Sequence, residues 1–155
     1  MATYENTRYN FSSDFTGKVL QVITATDSTQ RSTTSTSFVT ASNTLSVDIT
    51  PSSTSSKIYI IVSFQYFSPV SQNNLLCTIF RDSTNLGNAT TGFGKIKVQA
   101  DGTGSHQGYG CMAVLDSPST ASQVTYQLYM KTNTGTGKIN NDGAFSTITA
   151  FEIEG

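Results

Sequence analysis

The stretch ITPSSTSSKIYIIVSF, residues 49–64, joins a run of small hydroxylated residues to an almost continuous apolar run. A strand with one face in water alternates apolar and polar residues, and this one does not. A strand over 57–67 would place Ile58, Ile60, Val62, Phe64 and Tyr66 on one face, and Tyr59, Ile61 and Phe67 on the other.

The second apolar face of this strand needs a cover, which is either a loop of the same chain or another subunit. Monomers seldom expose contiguous apolar patches larger than several hundred Å². We favour a partner subunit, and we predict that Tyr59, Ile61 and Phe67 lie at a subunit interface.

The rest of the chain is also rich in β-forming residues, and it shows no sustained 3.6-residue apolar period. Turn signals such as Asp82-Ser83 and Asn141-Asp142-Gly143 separate the runs. The predicted strands lie near 18–25, 35–40, 44–49, 57–67, 75–82, 94–99, 107–115, 123–131 and 145–153, with a weaker one at 136–140. Without helical crossovers the strands pair antiparallel, so the pattern predicts an all-β fold.

Three segments alternate cleanly, as half-buried strands of a two-layer antiparallel β-sandwich do. The residues that share one face in each segment are Leu45, Val47 and Ile49; Val124, Tyr126, Leu128 and Met130; and Phe145, Thr147, Thr149, Phe151 and Ile153.

Composition limits the classes of partner. The 155 residues suit one domain, only 12% are charged, and 25 Thr and 21 Ser fill the deficit. The net charge is −1 with both signs interspersed, which argues against nucleic acid and against a polybasic membrane contact. No apolar run approaches the length of a transmembrane helix, and residues 1–17 lack the apolar core of a secretory signal.

Cys77 and Cys111 lie in apolar runs and are predicted to be buried thiols, or a disulfide if their strands are neighbours.

Residues 1–17 have no strand pattern but are rich in aromatic residues, namely Tyr4, Tyr9, Phe11 and Phe15. Aromatic side chains are common anchors at interfaces. We therefore predict a docking arm over 1–17, followed by a single β-sandwich domain over 18–155.

The sequence offers little catalytic chemistry. His106 is the one histidine, and Ser105 beside it would point away from it on a strand. One His and two separated Cys do not make a usual zinc site, and Asp101-Gly102 and Asn140–Gly143 are interpreted as tight turns rather than calcium loops. Glu152 and Glu154 are expected to face outward. We predict no enzyme, cofactor or metal, although two converging carboxylates of a glycan-degrading enzyme remain open.

Sugar binding is a second alternative. Tyr59, Tyr109 and Tyr129, beside loops rich in Asn, Gln and Asp, could stack on a pyranose and bond its hydroxyls. The chain has no Trp, which weakens this hypothesis.

Several stretches in this order form a recognisable set. They are GKVLQV (17–22), STSF (35–38), LSVDITPSSTSSKI (45–58), FRDSTNLG (80–87), YQLYMKT (126–132) and STITAFEI (146–153). The set resembles a β-rich domain common in virion proteins of tailed bacteriophages, where it forms fibre tips or surface decorations. The resemblance implies a jelly-roll-like domain, a homotrimer and a place on the surface of the virion head or tail.

The resemblance implies a non-enzymatic virion structural protein, of the capsid decoration (cement) or fibre-like type. Its N-terminal arm would bind the major capsid protein or a tail component. Because the chain starts at Met1 with a seventeen-residue arm, we expect direct attachment rather than a long fibre. The alternative is a receptor-binding tail-fibre tip that adsorbs to host-surface glycan through loops such as 101–110 and 133–144.

Overall fold

Extended backbone accounts for almost all regular structure in the part of the chain that is described. The computed structural model describes residues 17–69, 74–97 and 105–155. The strands are β1 (Val19–Asp27), β2 (Arg31–Thr33), β3 (Val39–Thr40), β4 (Ser46–Ile49), β5 (Lys57–Ser68), β6 (Asn74–Arg81), β7 (Thr84–Asn85), β8 (Gly94–Lys97), β9 (His106–Asp116), β10 (Val124–Thr132), β11 (Gly137–Ile139) and β12 (Ser146–Ile153). Among these residues a single 3-10 turn spans Asn141–Gly143. Each predicted strand is found, whereas the short β2 and β7 were not predicted.

The strands form two antiparallel sheets. The first sheet runs β1, β12, β5 and β9, while β11 continues the line of β12 along β5 and pairs with β2. In the second sheet β10 lies between β6 and the short strands β3 and β4, and the other edge of β6 pairs with β7 and β8.

The order of the strands is that of a jelly roll. Collinear short strands count as one position when they share a neighbour, as β3 with β4, β7 with β8, and β11 with β12. Numbered along the chain with the short edge strand β2 left out, the positions then run 1-8-3-6 in the first sheet and 2-7-4-5 in the second. This is two Greek keys wound on each other, so the predicted jelly-roll-like β-sandwich is confirmed.

The residues that fill the core between the sheets are those that the alternation of apolar and polar residues predicts. Ile58, Ile60, Val62 and Phe64 of β5 are buried, as are the predicted inward residues of β4 and β10. Phe64 and Tyr66 lie directly opposite Gly110 and Gly108 of β9. A Cβ atom on Gly110 would come within 2.7 Å of the Phe64 ring, so the glycine makes room for the aromatic side chain.

The last strand carries its aromatic face outward. Ile148 and Ala150 of β12 are fully buried, whereas Phe145, one residue before the strand, is 65% exposed. Phe145 and Phe151 therefore share a face, as expected, and that face is the outer one.

Glu152 was expected to face outward, and this is wrong. Its side chain is buried, and its Oε1 accepts the backbone N–H and the hydroxyl of Ser52, both at 2.6 Å. Its Oε2 accepts Nε2 of Gln21 at 2.6 Å. Burial alone would raise the pKa of this carboxyl, but the hydrogen bonds from Ser52 and Gln21 outweigh it and lower the pKa to about 2. The hydroxylated turn at 50–56 is thus tied to β1 and β12 through a buried charge.

The two cysteines differ. Cys77 is buried in the core, as predicted, and burial raises the pKa of its thiol to about 12. Cys111 is exposed, so the prediction of a second buried thiol is wrong, and both thiols are free. The register of β9 places Met112 and Val114 toward the core and therefore Cys111 on the outer face.

Candidate functional site on the outer face of the first sheet

An apolar row crosses the outer face of the first sheet. The registers place Val22, Phe151, Tyr59 and Leu115 side by side on β1, β12, β5 and β9. Strands lie about 4.8 Å apart, so the row is about 14 Å wide. Val22 is 53% exposed, Leu115 is 59% exposed and Tyr59 is 37% exposed, and the rings of Tyr59 and Phe151 lie 6.4 Å apart. We call these four residues the apolar row.

Of the three predicted interface residues, the structure brings two together. Ile61 is half-buried in the next line of side chains, between Thr149 and Ala113. Phe67 lies eight positions beyond Tyr59 on β5, where the ammonium of Lys138 sits 5.4 Å from its ring centroid. Phe67 is therefore separate from the apolar row, and the interface itself stays a prediction.

The predicted docking residues Tyr4, Tyr9, Phe11 and Phe15 lie outside the described residues. The described chain begins at Gly17, and the carbonyl of Lys18 accepts the N–H of Glu154 at 2.8 Å. Residues 1–16 therefore join the domain at the end of the sheet that carries the apolar row.

A polar cleft lies at the other end of the same face. Its volume is about 530 Å³. The cleft is lined by Ser63, Gln65, Gln107, Tyr109, Asn141, Asp142, Gly143, Ala144, Phe145 and Thr147. Gln65 is six residues from Tyr59 on β5, so the centre of the cleft is about 20 Å from the apolar row.

Asn140 holds one wall of the cleft in place. Its side chain is fully buried, and its Nδ2 donates to the carbonyls of Asp27 at 2.8 Å and Thr29 at 3.2 Å. Its Oδ1 accepts the hydroxyl of Ser146. Its φ of 56° is in the left-handed region, which Asn tolerates better than most residues. The Asn140–Gly143 stretch is thus a tight turn, as predicted, and its position is fixed by buried hydrogen bonds.

Asp27, next to this turn, is a second buried carboxylate. It accepts the N–H of Thr29 at 2.9 Å, Nε of Arg31 at 3.2 Å and the hydroxyl of Ser42. Burial would raise the pKa of Asp27, but the bonds from Ser42, Thr29 and Arg31 prevail and hold the pKa far below its usual range. Asp27 and Glu152 are occupied in holding turns, and each has its oxygens engaged by neighbouring donors.

The other residues considered for chemistry are placed as follows. His106 is exposed at the start of β9, with its ring 6.2 Å from that of Tyr66. Tyr109 is 78% exposed, but Tyr129 stacks on Phe80 at 4.0 Å and does not offer a free ring. Within residues 17–69, 74–97 and 105–155, no three His, Cys, Asp or Glu side chains gather as metal ligands would. In the same ranges no helix has the length and apolarity needed to cross a membrane.

Sequence reasoning found part of the cleft and missed part of it. Tyr109 and the 133–144 loop were proposed for sugar contact, and both contribute residues to the cleft. Phe145 and Gln65 were missed. The available signal was the Asn-Asn-Asp-Gly turn directly before an aromatic residue, but nothing local indicated that β5 and β9 would face it.

Comparison with known proteins gives little information on function. No protein family matches the chain, and no curated protein does. Among solved structures the chain is similar to VP2 of infectious bursal disease virus, in particles of a D431N mutant (15% identity, TM-score 0.46, 85% of this chain covered) and in a subviral particle (16% identity, TM-score 0.46, 87% covered). The structure of the Gx strain of that virus matches with a TM-score of 0.43 at 16% identity over 87% of this chain. The chain spans little more than a third of those proteins, 36–37% of their length. A likeness this distant carries no weight for what the chain binds.

Proposed function

We propose that the protein is a structural component of a virus particle and assembles through the apolar row, as a homotrimer. The observation that carries the proposal is the row itself, in which four strands place apolar side chains side by side at one end of a sheet. Three of these side chains are exposed and Phe151 is half-buried. Burial of this surface would contribute about 25 cal/mol for each Å² removed from water.

The partner at the row is a second copy of the chain. The row carries no charged side chain, so the rows of three copies can meet around a threefold axis without burying an unpaired ion. Tyr59 adds an amphipathic ring, which is common at the centre of interfaces. The threefold arrangement, the virion setting and the tailed-phage type come from the sequence resemblance.

The aromatic arm supplies the attachment to the particle. Residues 1–16 join the domain beside the apolar row, so assembly would bring three arms to one end of the trimer. Three arms with four aromatics each give a multivalent anchor, which strengthens attachment without any single strong contact. The target would be the major capsid protein or a tail component, at the surface of the head or tail.

The oligomer is tested by light scattering on the full chain at micromolar concentration. We expect a trimer for the wild type and a monomer for Leu115→Asp, since an unpaired charge in the row weakens association by at least about a hundredfold. Phe145→Asp is the matched control, because Phe145 is a similarly exposed apolar residue at the other end of the face. A wild-type protein that is strictly monomeric at this concentration would refute the proposal.

The anchor is tested in the full chain by replacing Tyr4, Tyr9, Phe11 and Phe15 with Ser. Incorporation into purified particles, measured by mass spectrometry, should fall to background while the trimer persists. The control replaces Thr3, Thr7, Ser12 and Ser13 with Ala and should incorporate normally. Equal incorporation of the two variants would refute the anchoring role.

A second role is adsorption to a glycan on the host surface, as in a receptor-binding tip. The observation that favours it is the polar cleft with exposed aromatic side chains at the end of the face away from the apolar row.

A further inference from the structure

The polar cleft contains two buried amide side chains whose hydrogen-bonding groups are not all used by the described residues. Gln65 is 4% exposed and Asn141 is 8% exposed. Oε1 of Gln65 accepts the backbone N–H of Asn141 at 2.8 Å. In the described part of the chain, Nε2 of Gln65 and the side-chain amide of Asn141 have no hydrogen-bond partner. A buried polar group without a partner is costly, and natural structures usually provide one.

These amides are open to the cleft. Neither amide is both sealed from solvent and without a hydrogen-bond partner. Each amide therefore reaches the surface through the cleft that it lines. An occupant of the cleft would find donors and acceptors already in place.

Two aromatic side chains flank the amides. Tyr109 lies directly opposite Gln65 on β9, and Phe145 precedes β12, which pairs with the other edge of β5. They are 78% and 65% exposed, the largest exposures among the big apolar side chains of the described residues. Their exposed rings provide flat apolar surfaces on two sides of a polar floor.

The site is rigid before any ligand arrives. Asn140 fixes the turn that carries Asn141 and Asp142, and its own N–H donates to the carbonyl of Gln65 at 3.2 Å. Asp142 has a φ of 56° and Gly143 a φ of 77°, so the turn has a defined and unusual backbone. A preformed wall lowers the ordering cost of binding.

The chemistry of the lining selects the ligand. Among the described residues that line the cleft there is no Lys or Arg and the one charged residue is Asp142, so an anion is disfavoured. Amide groups donate and accept at once, as sugar hydroxyls do. The C–H face of a pyranose ring is apolar and packs on aromatic rings. The volume of about 530 Å³ is within the range of about 300–1,000 Å³ for small-ligand sites.

We infer that the cleft is a binding site for a neutral pyranoside, as the terminal sugar of a surface polysaccharide or oligosaccharide. Tyr109 and Phe145 stack on the ring, Gln65 and Asn141 bond its hydroxyls, and Asp142 accepts from a hydroxyl at the rim. The inference is independent of the assembly role, since the site is built within one chain.

The test starts with the full-length protein on an array of immobilised neutral, sialylated and sulfated oligosaccharides. We expect binding to neutral sugars. The methyl glycoside of the best neutral hit is then titrated in solution, where the affinity per site does not depend on the oligomer. Tyr109→Ala and Phe145→Ala should each weaken binding by about tenfold. Tyr59→Ala, an exposed tyrosine outside the cleft, should leave the affinity within about twofold.

Gln65→Glu tests the floor of the cleft without relying on a truncation that could unfold the domain. It retains the oxygen that accepts from Asn141 and removes the donor, so we expect at least about tenfold weaker binding at an unchanged far-ultraviolet spectrum. The inference is overturned if the protein binds no sugar on the array, binds charged glycans alone, or retains only protein partners. It is also overturned if Tyr109→Ala leaves the affinity for the neutral sugar unchanged.

Discussion

The two ends of the outer face of the first sheet differ in what they expose and in what supports them. The end with the apolar row is supported by Glu152, an ionised side chain bonded to Ser52 and Gln21. The end with the cleft is supported by Asn140, a neutral side chain bonded to Asp27, Thr29 and Ser146. One rigid sheet can therefore present an uncharged apolar surface and a polar concave surface about 20 Å apart.

The side chains at these two ends fall into two groups. We propose that the apolar row and the side chains that line the cleft bind partners, whereas the buried side chains of Asn140 and Glu152 hold turns in place. Substitutions in the two groups should therefore have separate effects on binding and on stability.

The largest expected effect is on the support of the cleft. Asn140→Ala removes three hydrogen bonds in a fully buried site and leaves a left-handed backbone on alanine. We expect the free energy of unfolding to fall by about 3 kcal/mol. The measurement is urea denaturation, with Asn43→Ala at an exposed site as the control, expected within about 0.5 kcal/mol of the wild type. Equal stability of the two variants would contradict the role of Asn140.

The support of the apolar row should depend on pH through Glu152, whereas the Asn140 side chain at the cleft does not titrate. The pKa of Glu152 is about 2 in the folded protein, below its ordinary value, so its contribution is complete above pH about 4.5 and is lost as pH falls through about 2. At neutral pH, Glu152→Gln should cost about 2 to 3 kcal/mol of unfolding free energy. This cost should shrink as the pH is lowered from about 4.5 toward 2.

Glu154→Gln is the matched control for this pH series, because Glu154 is an exposed carboxylate two residues away. It should follow the wild type at every pH. The pKa of Asp27 is also lowered, so both proteins will retain some acid sensitivity, and the decisive quantity is the difference between Glu152→Gln and the wild type. A difference that stays constant with pH would show that the pKa of Glu152 is the same in the folded and the unfolded protein.

A smaller pair of effects separates the two surfaces directly. Tyr59→Ala should weaken self-association by about tenfold or more and leave sugar affinity alone, since Tyr59 lies in the apolar row. Tyr109→Ala should do the reverse. Sedimentation velocity measures self-association of both variants, and sugar titration measures their sugar affinity. A variant that changes both self-association and sugar affinity would show that the two ends of the face are not independent.

The smallest expected effect is that of salt. Neither the apolar row nor the cleft uses an ion pair, because the two salt bridges of the described residues, Arg31–Asp27 and Arg81–Asp116, lie elsewhere. Self-association and sugar affinity should therefore change by less than about twofold between 0.05 and 0.5 M sodium chloride, a range in which exposed charges are strongly screened. A steep loss of either with salt would point to a charged partner.

Alternation along each strand was enough to predict the layers of the sandwich. The core-facing residues are those that their spacing predicts, because the side-chain direction in a strand depends only on residue parity. They include Val47 and Ile49; Leu128 and Met130; and Ile58, Ile60, Val62 and Phe64. The same parity placed Tyr59 and Ile61 on the second face. The prediction that Cys111 is buried rested on the apolar run around it. An apolar run does not reveal which of two adjacent residues faces inward.

Local periodicity was sufficient to predict the fold class, the core and a second apolar face on β5. How that face is completed, and what lies at its other end, depends on contacts between strands that are distant in the chain. Glu152 is buried because Ser52 and Gln21, 100 and 131 residues away in the chain, meet it in space. The cleft joins β5, β9 and the 141–147 segment for the same reason: pairing registers between distant strands set which side chains become neighbours.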